Sequence, residues 1–383
     1  MTIGGDPEFF FVDKKGNVVP SEKLLPWKEK PMKVEDRFGY SLASLHADGI
    51  QGEMTLHYNK CRGYVSDYCW YGLRAAHNLA KKNGLSILLD AAIHTPKSLL
   101  DTVSPRGKEF GCDPDFIAWL DGIESPPMPP PDDHEFRYSG GHIHFGFPTI
   151  ETMQREIAMY NNSYYKVMYG WVIERNTKMI ELFKNDPNYR IDMVKLLDYI
   201  AGNTAVLLDQ TEGATLRRKL YGQAGTFRPT SYGLEYRVLS NFWMKSPYLM
   251  QYIIGLCREA ITHYFAGNKE TIFNLVDPSD IIMAINNNDK ALAWKNWNKI
   301  KGFLTHHYTE DSAAMENIKV MEFISMKGVD NHLPVYYDGW NLRARGSSHG
   351  NVFTNIADTR AEIEKEPEYR KFRDSYNPNT IYM

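Results

Sequence analysis

Residues 139–146 read Ser139-Gly140-Gly141-His142-Ile143-His144-Phe145-Gly146. Two histidines alternate with two apolar residues, which is the period of a strand with one polar and one apolar face. The same two-residue spacing recurs in Asp6-Pro7-Glu8, ahead of Phe9-Phe10-Phe11, and in Glu235-Tyr236-Arg237, ahead of Val238-Leu239. Asp113-Pro114-Asp115 repeats it in a less regular segment. A carboxylate on a buried face is costly unless it is paired or bound to a metal. Several such pairs on one sheet would therefore build a polar, metal-competent site backed by an apolar wall. Taken singly, each pair has a plainer reading: a strand end for Asp6 and Glu8, two satisfied histidines, a cross-strand ion pair for Glu235 and Arg237, a loop for Asp113 and Asp115. Glu53 alone reads as an ordinary exposed strand residue. Their combination in one chain raises the metal reading above these.

Outward from these strands the chain alternates irregularly between strand and helix signals. Residues 3–12 read as a buried strand, with a turn at Lys15-Gly16-Asn17 and a return at Val18-Val19. Residues 41–57 read as two short strands broken at Asp48-Gly49. Helical spacing runs over 64–83, with Gly84 as its stop, and a strand follows at 85–92. Prolines 126, 127, 129, 130 and 131 make a stiff extended segment before strand-like residues resume at 136–147. Helices are predicted at 151–184, 190–209, 247–266, 278–287, 289–300, 310–326 and 357–365, and an extended stretch at 225–240. Without strict βαβ alternation, the pattern predicts an α+β fold with a mainly antiparallel sheet and a C-terminal helical region. The division expected is 1–245 for a catalytic core and 246–383 for helices packed on it.

Composition narrows the partners. With 44 Lys+Arg against 47 Asp+Glu, the net charge of −3 is too even for a general polyanion binder, so no nucleic acid is expected. No run approaches 18 apolar residues, so no membrane partner is expected either. The N-terminus lacks the pattern of a signal peptide, and four cysteines without a CxxC pair suit free thiols, which together predict a cytoplasmic protein. Local charge is less even. Residues 211–240 hold Arg217, Arg218, Lys219, Arg228 and Arg237 against Glu212 and Glu235, with glycines at 222, 225 and 233. This reads as an anion site; a solvated basic helix end at 217–219 is the alternative.

The quoted motifs resemble the glutamine synthetase and glutamate–cysteine ligase superfamily, and most closely its phage-type carboxylate–amine branch, the phiEco32-like COOH·NH2 ligase type 2 family. Gly4-Gly5-Asp6-Pro7-Glu8-Phe9-Phe10 resembles the first-strand motif. Asp48-Gly49-Ile50-Gln51-Gly52-Glu53 resembles the second strand, ending in Gln-x-Glu. Ser139–Gly146 resembles the Gly-rich His-x-His strand, and Arg228-Pro229 with Leu234-Glu235-Tyr236-Arg237 the late Arg…Glu-x-Arg strand. The four motifs span 4–237, and the resemblance says little about 246–383.

The resemblance implies a glutamine-synthetase-type curved antiparallel sheet flanked by helices, and an ATP- and Mg²⁺-dependent ligase, with Mn²⁺ as a possible substitute. Glu8 and Glu53 would hold one ion with Asp48 nearby; Asp6, His142 and Glu235 would hold a second. His144 would lie near the nucleotide, together with Arg218. Arg228 and Arg237 would contact the γ-phosphate and the acyl phosphate, with Glu235 completing the catalytic group. Three departures stand out: Asp6 replaces the Glu of glutamine synthetases, Leu45 occupies the position of an earlier acid, for which Asp48 is the substitute, and the spacing from Arg228 to Glu235 is shorter than in synthetases. Asp48, Asp113, Asp115 and Arg217 are weaker substrate candidates. The substrates implied are a small-molecule or peptide carboxylate and an amine. Hard oxygen ligands suit Mg²⁺ beside phosphates, and guanidinium forks suit the phosphoryl oxygens.

Other chemistries find less support. No GxxxxGK[ST] or HExxH occurs. Gly346-Ser347-Ser348-His349-Gly350 matches GxSxG, yet no later histidine could complete a triad. Arg343, Arg345 and His349 read as a solvated basic loop. An ATP-dependent phosphotransferase on the same fold, and a non-catalytic phage structural or binding protein, are the alternative functions.

Overall fold

The computed structural model describes residues 1–110, 115–147, 174–175, 177–306, 313–332, 336–342, 360–377 and 380. Thirteen strands are present among them: β1 Thr2–Val12, β2 Val18–Val19, β3 Met32–Glu35, β4 Ser41–Asp48, β5 Gln51–Asn59, β6 Ser86–Leu88, β7 Ala92–His94, β8 Phe116–Ile117, β9 Ile123–Glu124, β10 Phe136–Tyr138, β11 Gly141–Gly146, β12 Thr226–Thr230 and β13 Gly233–Tyr236. Eleven form one sheet in the order β3-β4-β5-β1-β11-β13-β12-β8-β9, with β2 and β6 also paired to β1. All its ladders are antiparallel, so the α+β expectation holds. β7 and β10 make a separate two-stranded sheet.

β1 is the centre of this arrangement. Its first half lies between β5 and β11, and its last residues pair instead with β2 and β6. Pro7 opposite Gly141 closes the β1–β11 ladder, where its missing N–H costs no bond. On one sheet face Phe9, Phe11, Leu45, Met54, Ile143, Phe145, Leu234 and Tyr236 are buried in one apolar cluster. The helix Arg62–Lys82 covers β4, β5 and β6, presenting Val65, Cys69, Leu73, Ala76 and Ala80 at helical spacing. It stops at Gly84, whose φ of +72° suits glycine and whose N–H reaches Lys81 O. The helix Pro187–Leu197 packs on β12 and β13, and the helix Pro247–Phe265 packs against both helices.

Several elements differ from their sequence reading. The single strand expected at 85–92 is two short strands, β6 and β7, which serve different sheets. The stretch 136–147 is likewise split between β10 and β11. The helix expected over 190–209 is interrupted by a π-turn, Asp198–Gly202. There the buried Asp198 accepts hydrogen bonds from Tyr236 OH and Trp119 Nε1, both at 2.7 Å, and a Cβ on Gly202 would lie 2.5 Å from the same hydroxyl. The widened turn clears Tyr236, a contact that periodicity does not encode. A helix at Pro367–Asp374 has no counterpart in the sequence reading. Most of the helix expected at 151–184, and Arg343, Arg345 and His349, lie outside the described residues. Cys61 is free and exposed, and Cys69 and Cys257 are free and buried. No helix among the described residues is long and apolar enough to cross a membrane.

The two glycines before the histidine pair answer to close packing. A Cβ on Gly140 would meet the His142 ring at 2.1 Å, and one on Gly141 would meet Ser240 O at 2.2 Å and Trp243 Nε1 at 2.4 Å. Trp243 Nε1 donates to Gly141 O at 3.1 Å. Gly141→Ala should therefore destabilise the protein by about 1–3 kcal/mol, the usual cost of overpacking. Urea unfolding measures this; an unchanged midpoint would contradict the packing described.

Candidate active site

The register brings the paired polar residues onto the other face of the sheet. Asp6 stands opposite His142, Glu8 opposite Glu53, and Glu53 opposite His46. On the other side His144 faces Glu235, which faces Arg228. A continuous polar band thus crosses β4, β5, β1, β11, β13 and β12. Leu45 falls on the apolar face, fully buried, whereas Asp48 falls on the polar one. The acid at 48, rather than a residue at 45, is the one that reaches the site.

Two trios form within the band. Asp6, His142 and Glu235 offer ligand atoms all within 4.8 Å of one another, and so do Glu8, Asp48 and Glu53. Their electrostatics differ. In the first trio His142 Nδ1 lies 3.4 Å from Asp6 Oδ1 and 3.2 Å from Glu235 Oε1, and His144 Nε2 lies 3.0 Å from Asp6 Oδ2. Burial disfavours the Asp6 charge, but His144 and His142 hold its carboxyl well below the usual range. Burial and Asp6 push Glu235 upward, yet Arg237 and His142 pull it down to about 2. Burial opposes the charge on His144, and Asp6 outweighs it, raising the imidazole to about 9.

In the second trio compensation is weaker and burial prevails. Burial drives Asp48 and Glu53 well above the carboxylate range, and neighbouring carboxylates add to the effect. Glu8 is raised by burial too, although it accepts the Gly140 N–H at 2.7 Å and feels His142. The imidazole beside them, His46 Nε2 at 3.1 Å from Glu53, is itself pushed towards neutrality by burial. Three carboxyl groups crowded out of water without a firm counter-charge fit a hard divalent cation, which would supply what the fold withholds.

The arginines complete the other edge. Arg237 Nε lies 2.7 Å from Asp115 Oδ1, and its Nη1 pairs with Glu235. Arg228 Nη1 donates to Glu235 Oε2 at 3.3 Å, and Nη2 lies 3.8 Å from Asp115. Asp115, a substrate candidate in the sequence, is thus a buried internal counter-ion. Arg217 and Arg218 also change role. Arg217 is buried, donates to Val238 O at 2.9 Å and Arg237 O at 3.1 Å, and stacks on Tyr221. Arg218 is buried and donates to Gly222 O at 3.1 Å. Both brace backbone carbonyls, so the solvated helix end does not describe them; Lys219 alone of the three is exposed. Gly222 and Gly233 are likewise explained by close packing, against the Arg217 guanidinium and Phe145 O. Asp113 lies outside the described residues.

Three further residues belong to the band. His46 follows the same two-residue rule, ahead of Asp48, and was legible on that signal. Tyr221 and Tyr232 were not, because each arrives from outside the strands. Tyr221 OH lies 2.5 Å from His142 Nε2 and accepts from Arg237 Nη2 at 2.7 Å. Tyr232 OH lies 2.7 Å from His144 Nδ1, with the two rings stacked.

Two cavities flank the band. One, of about 320 Å³, lies by Gly4, Gly5, His57, His144 and Tyr232. The other, of about 590 Å³, shares Asp48, Asp115 and Tyr221 with the site and reaches the proline-rich segment.

With this geometry in place, the comparison with protein families adds a likeness over part of the chain. Residues 186–327 match the family model described as Phage phiEco32-like COOH.NH2 ligase-type 2. This is the family that the strand motifs resemble. The match takes in β12, β13 and the helices that follow, so the likeness extends into the region beyond 245 on which the motifs were silent. No curated protein and no solved structure matches the chain. The COOH.NH2 ligase-type 2 description supports a carboxylate–amine ligase in general, with small-molecule substrates.

The unequal trios set a pH dependence. Raised carboxyls such as Glu53 give stability that is full below the ordinary carboxylate range and is lost as pH rises through their folded values. Depressed ones, Asp6 and Glu235, act oppositely, and their contribution is lost only as pH falls through their folded values. In chelator, Glu53→Gln should therefore melt a few degrees above wild type near neutral pH and lose that advantage in acid. A divalent cation such as Mg²⁺ should raise the wild-type melting temperature more than the variant's. Identical wild-type and variant melting curves in chelator near neutral pH would sink the electrostatic account.

Proposed function

We propose that this chain is an ATP- and Mg²⁺-dependent carboxylate–amine ligase that forms an amide through an acyl phosphate. The single observation that carries the reading is the pair of trios side by side on one sheet face, bordered by two arginines that share Glu235 and Asp115. Glu8, Asp48 and Glu53 would hold one cation; Asp6, His142 and Glu235 would hold the second, with Mn²⁺ also suited to the imidazole. Bound there, the cations would neutralise the triphosphate and favour in-line transfer. The glutamine-synthetase-type sheet of residues 1–245 would carry the chemistry, with residues 246–383 bracing it.

The chain's own residues have separate tasks. The nucleotide would lie at the His144 and Tyr232 end; the smaller cavity there, with glycine backbone and aromatic surface, supports this. A substrate carboxylate oxygen forms a bond to the γ-phosphorus while the bond to the β,γ-bridging oxygen breaks, releasing ADP. Arg228 and Arg237 face the charge that spreads over the phosphoryl oxygens, as planar forks that match it. An amine nitrogen, its ammonium proton lost to solvent, then bonds to the acyl carbon; phosphate leaves with the carbon–oxygen pair of electrons and takes up the second N–H proton. Tyr221 holds the His142 ring and the Arg237 fork in one orientation.

Glu8→Gln and Glu235→Gln, each with the circular dichroism of wild type, should lower ADP formation by roughly 100-fold or more, the usual scale for losing a charge-stabilising group. Arg237→Lys should be similarly severe, because a point charge cannot replace a two-pronged contact. Near-normal ATP consumption in both glutamine variants would overturn the cation assignment. Mass spectrometry of the product distinguishes the chemistries: a ligase joins acid and amine with loss of one water, whereas a stable phosphorylated acceptor formed without amine would make the enzyme a phosphotransferase.

A further inference from the structure

The larger cavity bears on what the ligase joins, and the inference rests on the ligase reading. It touches the band at Asp48, Asp115 and Tyr221, so an occupant reaches the carboxylates from the end opposite His144. Its volume is about 590 Å³. An ammonium ion is about the size of a water, whose share of liquid volume is ~30 Å³. The chamber is many times that size and lies within the ~300–1,000 Å³ range of pockets that enclose ligands of many atoms.

The walls select further. Pro126, Pro127, Pro129 and Pro131 line one side. Proline has no N–H, so this wall presents rings and carbonyl oxygens, which suit the N–H groups and apolar flanks of an incoming peptide. Trp27 and Phe110 add aromatic faces. Charge of both signs surrounds the space. Glu109 and Glu124 join Asp48 on the acidic side, and Lys28, Arg106 and Lys219 supply cations. Arg106 is engaged, with Nη2 2.6 Å from Glu29 and its guanidinium over Trp27. Lys28 and Lys219 make no ion pair among the described residues. A lining of this kind matches a ligand that carries ammonium and carboxylate groups at separated points.

We propose that this chamber takes a short peptide with free charged ends as a substrate of the ligation, held through Lys28 and Lys219, and that neither ammonia nor a single free amino acid fills its place. The full chain is tested with Mg²⁺ in two measurements. Thermal stabilisation by a non-hydrolysable ATP analogue reads the nucleotide site alone. ADP release is then compared between a mixed tripeptide library with free termini and a mixture of the twenty amino acids with ammonium chloride. The expected result is stabilisation by the analogue and at least tenfold greater ADP release with the tripeptides. Lys28→Ala combined with Lys219→Ala, two exposed positions, should raise the tripeptide KM about tenfold and leave analogue stabilisation unchanged. Equal stimulation by the amino-acid mixture, or no stimulation by tripeptides while the analogue still stabilises, overturns the peptide assignment and leaves the nucleotide reading standing. An unchanged tripeptide KM in the double variant overturns the role of the two lysines. Absence of stabilisation by the analogue rejects the ligase reading itself.

Discussion

β1 sits between β5 and β11 with Asp6 opposite His142 and Glu8 opposite Glu53, and every other feature of the polar face follows from that register. Side chains alternate with a period of two, so a slip of one residue would carry the acids into the apolar layer and Phe9 and Phe11 out of it. The register is held from both sides. Glu8 N–H donates to Gly140 O at 2.9 Å, the Glu8 carboxylate accepts from Gly140 N–H, and Asn241 Nδ2 donates to Glu8 O at 2.9 Å. Backbone and side chain of one residue thus tie the first strand to the histidine strand and to the turn after β13.

The band that results is electrically divided. Asp6, His142 and Glu235 are neutralised within the fold, by His144 and by the two guanidinium groups. Glu8, Asp48 and Glu53 are not, and their carboxyls are raised by burial and by one another. A folded protein tolerates this by taking up protons or a cation, and the choice between them depends on pH. The same division explains why a chain of net charge −3 can hold so polar a site: its carboxylates and guanidinium groups lie on neighbouring strands of one face, and the sum conceals the arrangement.

The helices behind the sheet are tied to it and to one another by contacts that are themselves polar. Tyr236, on the apolar face of β13, is bonded to Asp198 in the π-turn, whose carboxyl burial raises to about 7. Farther out, Lys301 Nζ and Glu322 Oε1 form a fully buried pair at 2.8 Å, joined by Trp297 Nε1 at 2.7 Å, linking the helices Lys290–Thr305 and Ala313–Lys327. Such pairs add little net stability but penalise any packing that separates them.

The sequence by itself determined the strands that carry chemistry, their faces and the α+β class, because two-residue alternation is a local property that survives without tertiary context. The division into Glu8 and Glu53, with Asp48 nearby, and Asp6, His142 and Glu235 came instead from the resemblance of the motifs to a ligase family. Tertiary structure alone decided which strands are neighbours, and with it the fates of the charged residues. Arg217 and Arg218 stood out in the sequence only as part of a basic segment, and packing alone reveals that both guanidinium groups are enclosed and brace carbonyls. Asp115 became a counter-ion by the same route, and Tyr221 and Tyr232 reached the histidines from segments with no periodic signal. Periodicity reports which face a side chain takes; partners separated by a hundred residues are fixed only when the register of the sheet brings them together.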